Sequence, residues 1–246
     1  MVHPECASWV QQELGSIGVP ARHLILEILE TEDLDHARGN DSMHALRKLG
    51  VRLALDDFGS GYGSMTRLAS LPIDTVKIDQ ALIRDFRGDP IKTIQLLVAL
   101  VRIGLEFAQT TIIEGLEDEG VTEVARLAGA GFGQGFWLAR PMPVSDFPGW
   151  LQTRPTIPAD PGSLHTWHGA LAYHWLGMHD FLSPRHPGPI EHCLLTRFFR
   201  TEGVADPEVL LWHEQIHGRN GGKVQKEAAS ALLEWLVRKV RQMYVQ

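Results

Sequence analysis

The sequence predicts an α/β fold of parallel strands covered by helices, followed by a small all-α helical bundle. Three observations carry this. Short buried-strand patterns alternate with helical patterns over the first 150 residues, whereas the last third holds helical patterns alone. Charge divides the same way, with 21 acidic and 13 basic residues in 1–153 against 9 and 10 in 154–246.

Five stretches read as strands: "HLILEIL" (23–29), "VRLALDD" (51–57), "DTVKID" (74–79), "TTIIEG" (110–115) and "GFGQGFWL" (131–138). Between them, "DSMHALRKLG" (41–50), "PIKTIQLLVALVRIGLEFA" (90–108) and "EGVTEVARLAGAG" (119–131) read as helices, and "PECASWVQQELGSIG" (4–18) supplies one before the first strand. Gly50 and Gly131 fall where helix C-caps belong. Such alternation implies parallel strands, closed as a barrel or left as an open sheet. Function then belongs at the C-terminal ends of the strands.

Composition excludes several classes. The net charge of −7 and the lack of a basic stripe argue against duplex nucleic acid, whose phosphates demand Lys and Arg. Apolar runs such as "IQLLVALVRIGL" are broken by charge before 18 residues, so no membrane span is expected. The chain opens without a leader pattern. Two distant cysteines, Cys6 and Cys193, give no disulfide framework and fit a reducing cytoplasm.

Polar residues gather at the predicted strand ends. The first strand carries Glu27 and Glu30; "LALDDFGSGYGS" ends the second in Asp56 and Asp57; the third carries Lys77 and Asp79; the fourth ends in Glu114 and Glu117; the fifth contains Gln134. A ring of like charges is costly, because close carboxylates cannot all ionise. Divalent hard cations remove that cost, since Mg²⁺, Mn²⁺ and Ca²⁺ prefer oxygen ligands. One aspartate of the pair can bridge two metals while the other serves the second alone. The plain alternative is that Asp79 and Glu117 cap helices, Glu30 is a structural partner, and Lys77 merely neutralises the acids. Four successive strands each ending in a carboxylate favour a site.

"LILEILE", "LRKLGVRLALDDFGSGYGSMTRLASLPIDTVKID", "IIEGLEDE" and "GFGQGFWLARPMP" resemble, in order and spacing, the motifs of the EAL family of cyclic di-GMP phosphodiesterases. The resemblance covers about residues 5–150. It implies a modified TIM barrel, two Mg²⁺ or Mn²⁺ ions, and hydrolysis of cyclic di-GMP to linear pGpG. By position, Glu27 and Asp56 would ligate the first metal, and Asp56, Asp57 and Glu114 the second. Lys77 would contact the attacking water or the scissile phosphate. Glu30 would brace the loop after Asp57, which the family also uses for dimer contact, implying a homodimer. Glu117 and Gln134 would complete the catalytic rim. The chain departs from the family in having no Glu-Ala-Leu motif and no Asn-bearing strand before Glu27. The expectation is therefore an incomplete barrel over 1–152, its first strands missing, with impaired catalysis. The alternative is a catalytically silent module that binds cyclic di-GMP or a partner protein.

Residues 153–162 lie within the proline-rich "LQTRPTIPADPG" and read as a linker before a bundle over 163–246. In "SLHTWHGALAYHWLGMHDFL", Leu164, Leu171, Trp175, Met178 and Leu182 form the seam of an amphipathic helix. "PIEHCLLTRFFRTEG", "DPEVLLWHEQIHGR" and "KVQKEAASALLEWLVRKVRQMY" add three helices, a four-helix bundle. Eight of the twelve histidines fall in this last third. His213 and His217 share one helix face, Cys193 offers a thiolate, and His174 or His168 a fourth ligand for tetrahedral Zn²⁺. The arrangement is similar to chemoreceptor zinc-binding domains, though with shorter spacings, and implies a zinc or redox-sensing regulatory role. A packing or dimerising bundle is the alternative.

Overall fold

The computed structural model of the chain describes residues 3, 5–29, 37–59, 65–84, 86, 88–108, 110–154, 162–179, 188–218 and 222–244. They fall into two compact units. The first gathers Met1–Ile83, Leu96–Gly115 and Gly129–Gln134; the second gathers Arg84–Gln95, Leu116–Ala128 and Gly135–Gln246.

The first unit opens with α1 (Cys6–Ile17), which Gly18 closes in the left-handed conformation. Strand β1 (Ile25–Leu29), α2 (Ala37–Lys48), β2 (Arg52–Phe58), α3 (Met65–Ser70), β3 (Thr75–Ile78), α4 (Ala81–Arg84, all but Arg84 in this unit), α5 (Pro90–Phe107, in this unit from Leu96), β4 (Thr110–Ile113) and β5 (Phe132–Gly133) follow. All five strands are parallel, in the order β1-β2-β3-β4-β5. Among the described residues the sheet is open, with β1 and β5 as its edges. Each predicted strand contains one observed strand, because short apolar runs between glycines and helices have no other way to bury both faces. β5 is the exception in length. Only Phe132 and Gly133 pair, both exposed, while the rest of "GFGQGFWL" leaves the ladder.

Leu53, Leu55, Val76, Ile78 and Ile113 of the central strands are buried, with Met43 and Leu46 from α2 and Leu97, Val98 and Val101 from α5. Each such side chain contributes roughly 1.5–3 kcal/mol relative to exposure. The left-handed Gly50 ends α2 as expected, with φ 92°. Gly131 does not cap α6; the left-handed residue is Gly129, φ 93°, because the helix stops four residues earlier than its pattern suggests.

The second unit contains α6 (Glu119–Leu127), α7 (Phe147–Thr153), α8 (Trp167–Met178), α9 (Leu194–Thr201), α10 (Pro207–His217) and α11 (Gly222–Gln242). Helix starts follow local chemistry. Asp118 caps α6 through Val121 N, Thr166 caps α8 through Gly169 N, and Asp206 caps α10 just before Pro207. Helix α8 is not the amphipathic helix of the sequence reading. His168, Gly169, Ala170, Leu171, Ala172, His174, Trp175 and Leu176 are all buried, so the helix is wrapped on nearly every side. Leu164 is buried but precedes the helix, Met178 is half-buried, and Leu182 lies outside the described residues.

Packing divides the chain elsewhere than composition does. Helix α6 packs on α8, as α11 does, so α6 belongs with the C-terminal helices rather than with the strands that flank it. Its buried residues, Gly120, Val121, Glu123, Val124 and Ala125, form the face that makes this possible. Most of the expected linker, residues 155–161, lies outside the described residues. No described helix is long and apolar enough to cross a membrane.

Candidate active site

The site is built at the carboxyl ends of the first unit's strands. Parallel pairing sets Leu29 opposite Asp56 and Lys77 opposite Ile112, while Glu114 follows β4 directly and bonds its amide to the Ile78 carbonyl at 3.0 Å. Lys77 is buried on β3, the central strand of the sheet, and its ammonium meets three acids. Its Nζ lies 2.7 Å from Asp56 Oδ1, 2.7 Å from Glu114 Oε1 and 3.0 Å from Glu27 Oε1. Burial alone would lower the Lys77 pKa, yet hydrogen bonds to Asp56, Glu114 and Glu27 outweigh it and hold the ammonium above its ordinary value.

Consecutive strand residues normally point to opposite faces. Asp56 and Asp57 do not keep that rule. The ladder between β2 and β3 shifts register between Leu55 and Phe58, and Asp57 has φ 56°, the one left-handed non-glycine among the described residues. This backbone brings ligand oxygens of Asp56, Asp57 and Glu114 within 4.8 Å of one another. Burial, reinforced by Asp56 and Asp79, raises the Asp57 pKa despite the pull of Lys77. Three carboxylates with hard oxygen donors in that space fit a divalent cation of the Mg²⁺ or Mn²⁺ class.

The remaining candidates divide. Glu27 reaches the cluster through Lys77, but its side chain is 51% exposed and it stands outside the tight carboxylate trio. Gln134 follows β5, exposed, with its amide bonded to the Ile113 carbonyl at 2.8 Å. Glu117 is exposed and belongs to the second unit; its neighbour Asp118, not Glu117, caps α6. Asp79 is a cap, its Oδ1 accepting from Ala81 N at 2.9 Å. Glu30 lies outside the described residues.

In the second unit, ligand atoms of Cys193, His213 and His217 also lie within 4.8 Å of one another. Neither first-helix histidine joins this trio. His174 Nε2 is engaged by the Ala229 carbonyl at 2.8 Å, and His168 Nε2 by the Tyr244 hydroxyl at 2.6 Å. Burial, with His217 and His174 nearby, lowers the His213 pKa to about 4. Burial pushes the Cys193 thiol up, and pushes the neighbouring Tyr173 hydroxyl up to about 12. Sequence reasoning missed Tyr173, Tyr244 and Glu123. Only Glu123 left a signal, an acid set between Val121 and the apolar pair Val124 and Ala125 on α6.

The EAL domain family matches residues 1–141, more than half of the chain. The oxygen sensor protein DosP of Escherichia coli is 30% identical over 145 residues, which is 58% of this chain and 18% of that protein. A probable cyclic di-GMP phosphodiesterase of the same organism, PdeN, is 32% identical over 58% of this chain and 27% of its own length. Among solved structures, the PaMucR phosphodiesterase in complex with c-di-GMP superposes with TM-score 0.54 at 31% identity, over 59% of each chain. The EAL domain of Mycobacterium smegmatis DcpA gives TM-score 0.55 at 28% identity, over 61% of this chain and 67% of that one. The chain thus spans only about a fifth to a quarter of these curated relatives. EAL domains share a TIM-barrel-like α/β fold and depend on metal ions for activity, and the parallel sheet and acid-lined strand ends described above agree with both. With that match and that strand order, the chain belongs to the EAL domain family.

Proposed function

We propose that the first unit carries the metal-dependent active site of a cyclic di-GMP phosphodiesterase that yields linear pGpG. The observation that carries this is the convergence of Asp56, Asp57 and Glu114 beside Lys77 at the strand ends. In this reading Asp56, Asp57 and Glu114, with Glu27 at the margin, hold Mg²⁺ or Mn²⁺. When bound, such ions neutralise phosphate charge and generate the hydrolytic water. Lys77 stays protonated, so it serves as a fixed positive charge for the phosphate and not as a base. Glu30 and Gln134 are assigned to the substrate rim on the strength of the family motifs alone. The same reading includes a homodimer and a cytoplasmic location, where Cys6 and Cys193 stay reduced. Residues 163–246 would then form a regulatory module.

A second reading draws on the triple ion pair. One ammonium already neutralises part of the charge of Glu27, Asp56 and Glu114, so the rim can persist without a metal and bind nucleotide silently. Chromatography of pGpG after incubation with cyclic di-GMP and Mn²⁺ separates the two. Turnover above an Asp56→Asn control supports the enzyme. Binding measured by calorimetry without turnover supports the silent module, and absence of both removes the family's ligand from this chain.

A further inference from the structure

We propose that Gly115 is a positioning residue for the carboxylate rim: the lack of a side chain lets the chain after β4 seat on Gln80, and that seat holds Glu114 against Lys77. The inference rests on the reading of Asp56, Asp57 and Glu114 as ligands of a divalent cation. Gly115 directly follows Glu114, and its backbone is left-handed, with φ 70°. A Cβ at this position would collide with Gln80 Cβ and stand only 3.1 Å from Gln80 Cα. Something would have to shift.

Both sides of this close approach are tied to the rim. On one side, the Glu114 amide donates to the Ile78 carbonyl at 3.0 Å while its Oε1 lies 2.7 Å from Lys77 Nζ. On the other, Gln80 is held at the entry to α4. Asp79 Oδ1 accepts from Ala81 N at 2.9 Å, and the Gln80 carbonyl accepts from Ile83 N at 3.0 Å, so Gln80 cannot withdraw without loosening that turn. Lys77 stands three residues before it on the same segment. A side chain at 115 therefore displaces either Glu114 or the segment that carries Lys77. Each displacement lengthens the Lys77–Glu114 pair and spreads the ligand oxygens of Asp56, Asp57 and Glu114, which now lie within 4.8 Å of one another.

Space, and not backbone freedom alone, sets the requirement. Gly18, in the same unit, has φ 69°, yet a Cβ on it meets nothing within 4 Å. The two glycines thus separate the cost of a left-handed side chain, which both would bear, from the cost of crowding, which falls on Gly115 alone. Because the nearest obstacle is Gln80 Cβ, removing the Gln80 side chain frees most of the seat and leaves its Cα as the remaining neighbour.

The test measures Mn²⁺ affinity of the whole chain by calorimetry, with circular dichroism and melting temperature as checks on folding. Gly115→Ala should bind Mn²⁺ at least ~10-fold more weakly than wild type, the loss typical when the support of a metal ligand is disturbed. Gly18→Ala should melt lower than wild type but keep its Mn²⁺ affinity, which separates positioning from a merely structural role. The double variant Gly115→Ala/Gln80→Gly should recover part of the lost affinity. A folded Gly115→Ala with wild-type affinity overturns the proposal and leaves the cation reading intact, as does an equal loss in Gly18→Ala. Should Gly115→Ala not fold, the double variant decides: affinity below wild type supports the seat, and wild-type affinity overturns it. A wild type that binds no Mn²⁺ overturns the cation reading and the positioning role together.

Discussion

Glu123 accepts both the amide and the hydroxyl of Thr166, at 2.9 and 2.7 Å, so a buried acid on α6 completes the cap of α8. The His165 amide adds a third bond at 3.0 Å. An anion at a helix N-terminus also meets the positive end of the helix dipole. Replacing it strands buried donors, so Glu123→Ala should destabilise the protein by about 3 kcal/mol and Glu123→Gln, which keeps an acceptor, by about half that. Denaturant titration measures both. A loss below about 0.5 kcal/mol for Glu123→Ala, the range of ordinary surface changes, would show that water replaces the carboxylate.

A neighbouring glycine gives a prediction of opposite sign to helix propensity. A Cβ on Gly169 would collide with the Glu123 carboxylate, although Gly169 lies in a helix where alanine is favoured by about 1 kcal/mol. Gly169→Ala should therefore cost about 1–3 kcal/mol, as overpacking does. A rise in the denaturation midpoint would contradict the contact.

Lys77 stands in for a cation among Glu27, Asp56 and Glu114. Lys77→Met removes that charge and leaves like charges facing one another, so the variant melts lower than wild type in a chelator. Added Mn²⁺ should raise its melting temperature more than that of the wild type, because cations then supply all the compensation. Equal melting with and without Mn²⁺ in both proteins would sink the cation site.

The backbone at Asp57 is a strained choice for a side chain, costing of order 1 kcal/mol. Asp57→Gly relieves it and removes the repulsion from Asp56 and Asp79. In metal-free buffer the variant should be about 1 kcal/mol more stable, while its Mn²⁺ affinity falls at least ~10-fold. Calorimetry and denaturation together check the trade. A less stable variant would mean that the carboxylate, not the backbone, dominates locally.

Burial lowers the pKa of His168 against the opposing pull of Asp118 and Glu123. Its neutral form is therefore the folded form. From above pH 6.5 its contribution is fully present; below that value the unfolded chain takes up a proton that the folded chain refuses, and stability falls as pH drops toward the folded pKa. One such proton changes stability by at most about 1.4 kcal/mol per pH unit. His168→Gln should flatten the slope of stability against pH between 6.5 and 5. An unchanged slope would place the effect on other groups.

Much of the fold was legible because strands and helices bury faces with fixed periods. "VRLALDD" and "DTVKID" could hardly be anything but buried strands, and the strand ends that carry Asp56, Asp57, Lys77 and Glu114 lie side by side because the strands that bear them are neighbours in the sheet. What stayed hidden depends on distant partners. Nothing within "EGVTEVARLAGAG" tells that α6 leaves its sheet neighbours for α8, since that choice is made by Glu123 and Gly120 meeting residues some 45 positions away. The seam assigned to Leu164, Leu171 and Trp175 failed for a similar reason, because a helix at the centre of a unit is covered on sides that its own periodicity leaves unmarked. On α8, Nε2 of His174 meets the Ala229 carbonyl and Nε2 of His168 the Tyr244 hydroxyl, pairings with residues 55 and 76 positions away that no local pattern marks.

Spatial order and chain order coincide across the sheet, from β1 to β5. During synthesis, then, Glu27, Asp56 and Asp57 leave the ribosome before the lysine that reconciles them, and Glu114 arrives last of the four acids. A nascent chain that has paired only its first two strands carries bare mutual repulsion at their tips. Addition of the third strand supplies the missing positive charge, so assembly gains its electrostatic reward at the same step that commits the sheet to growing in one direction.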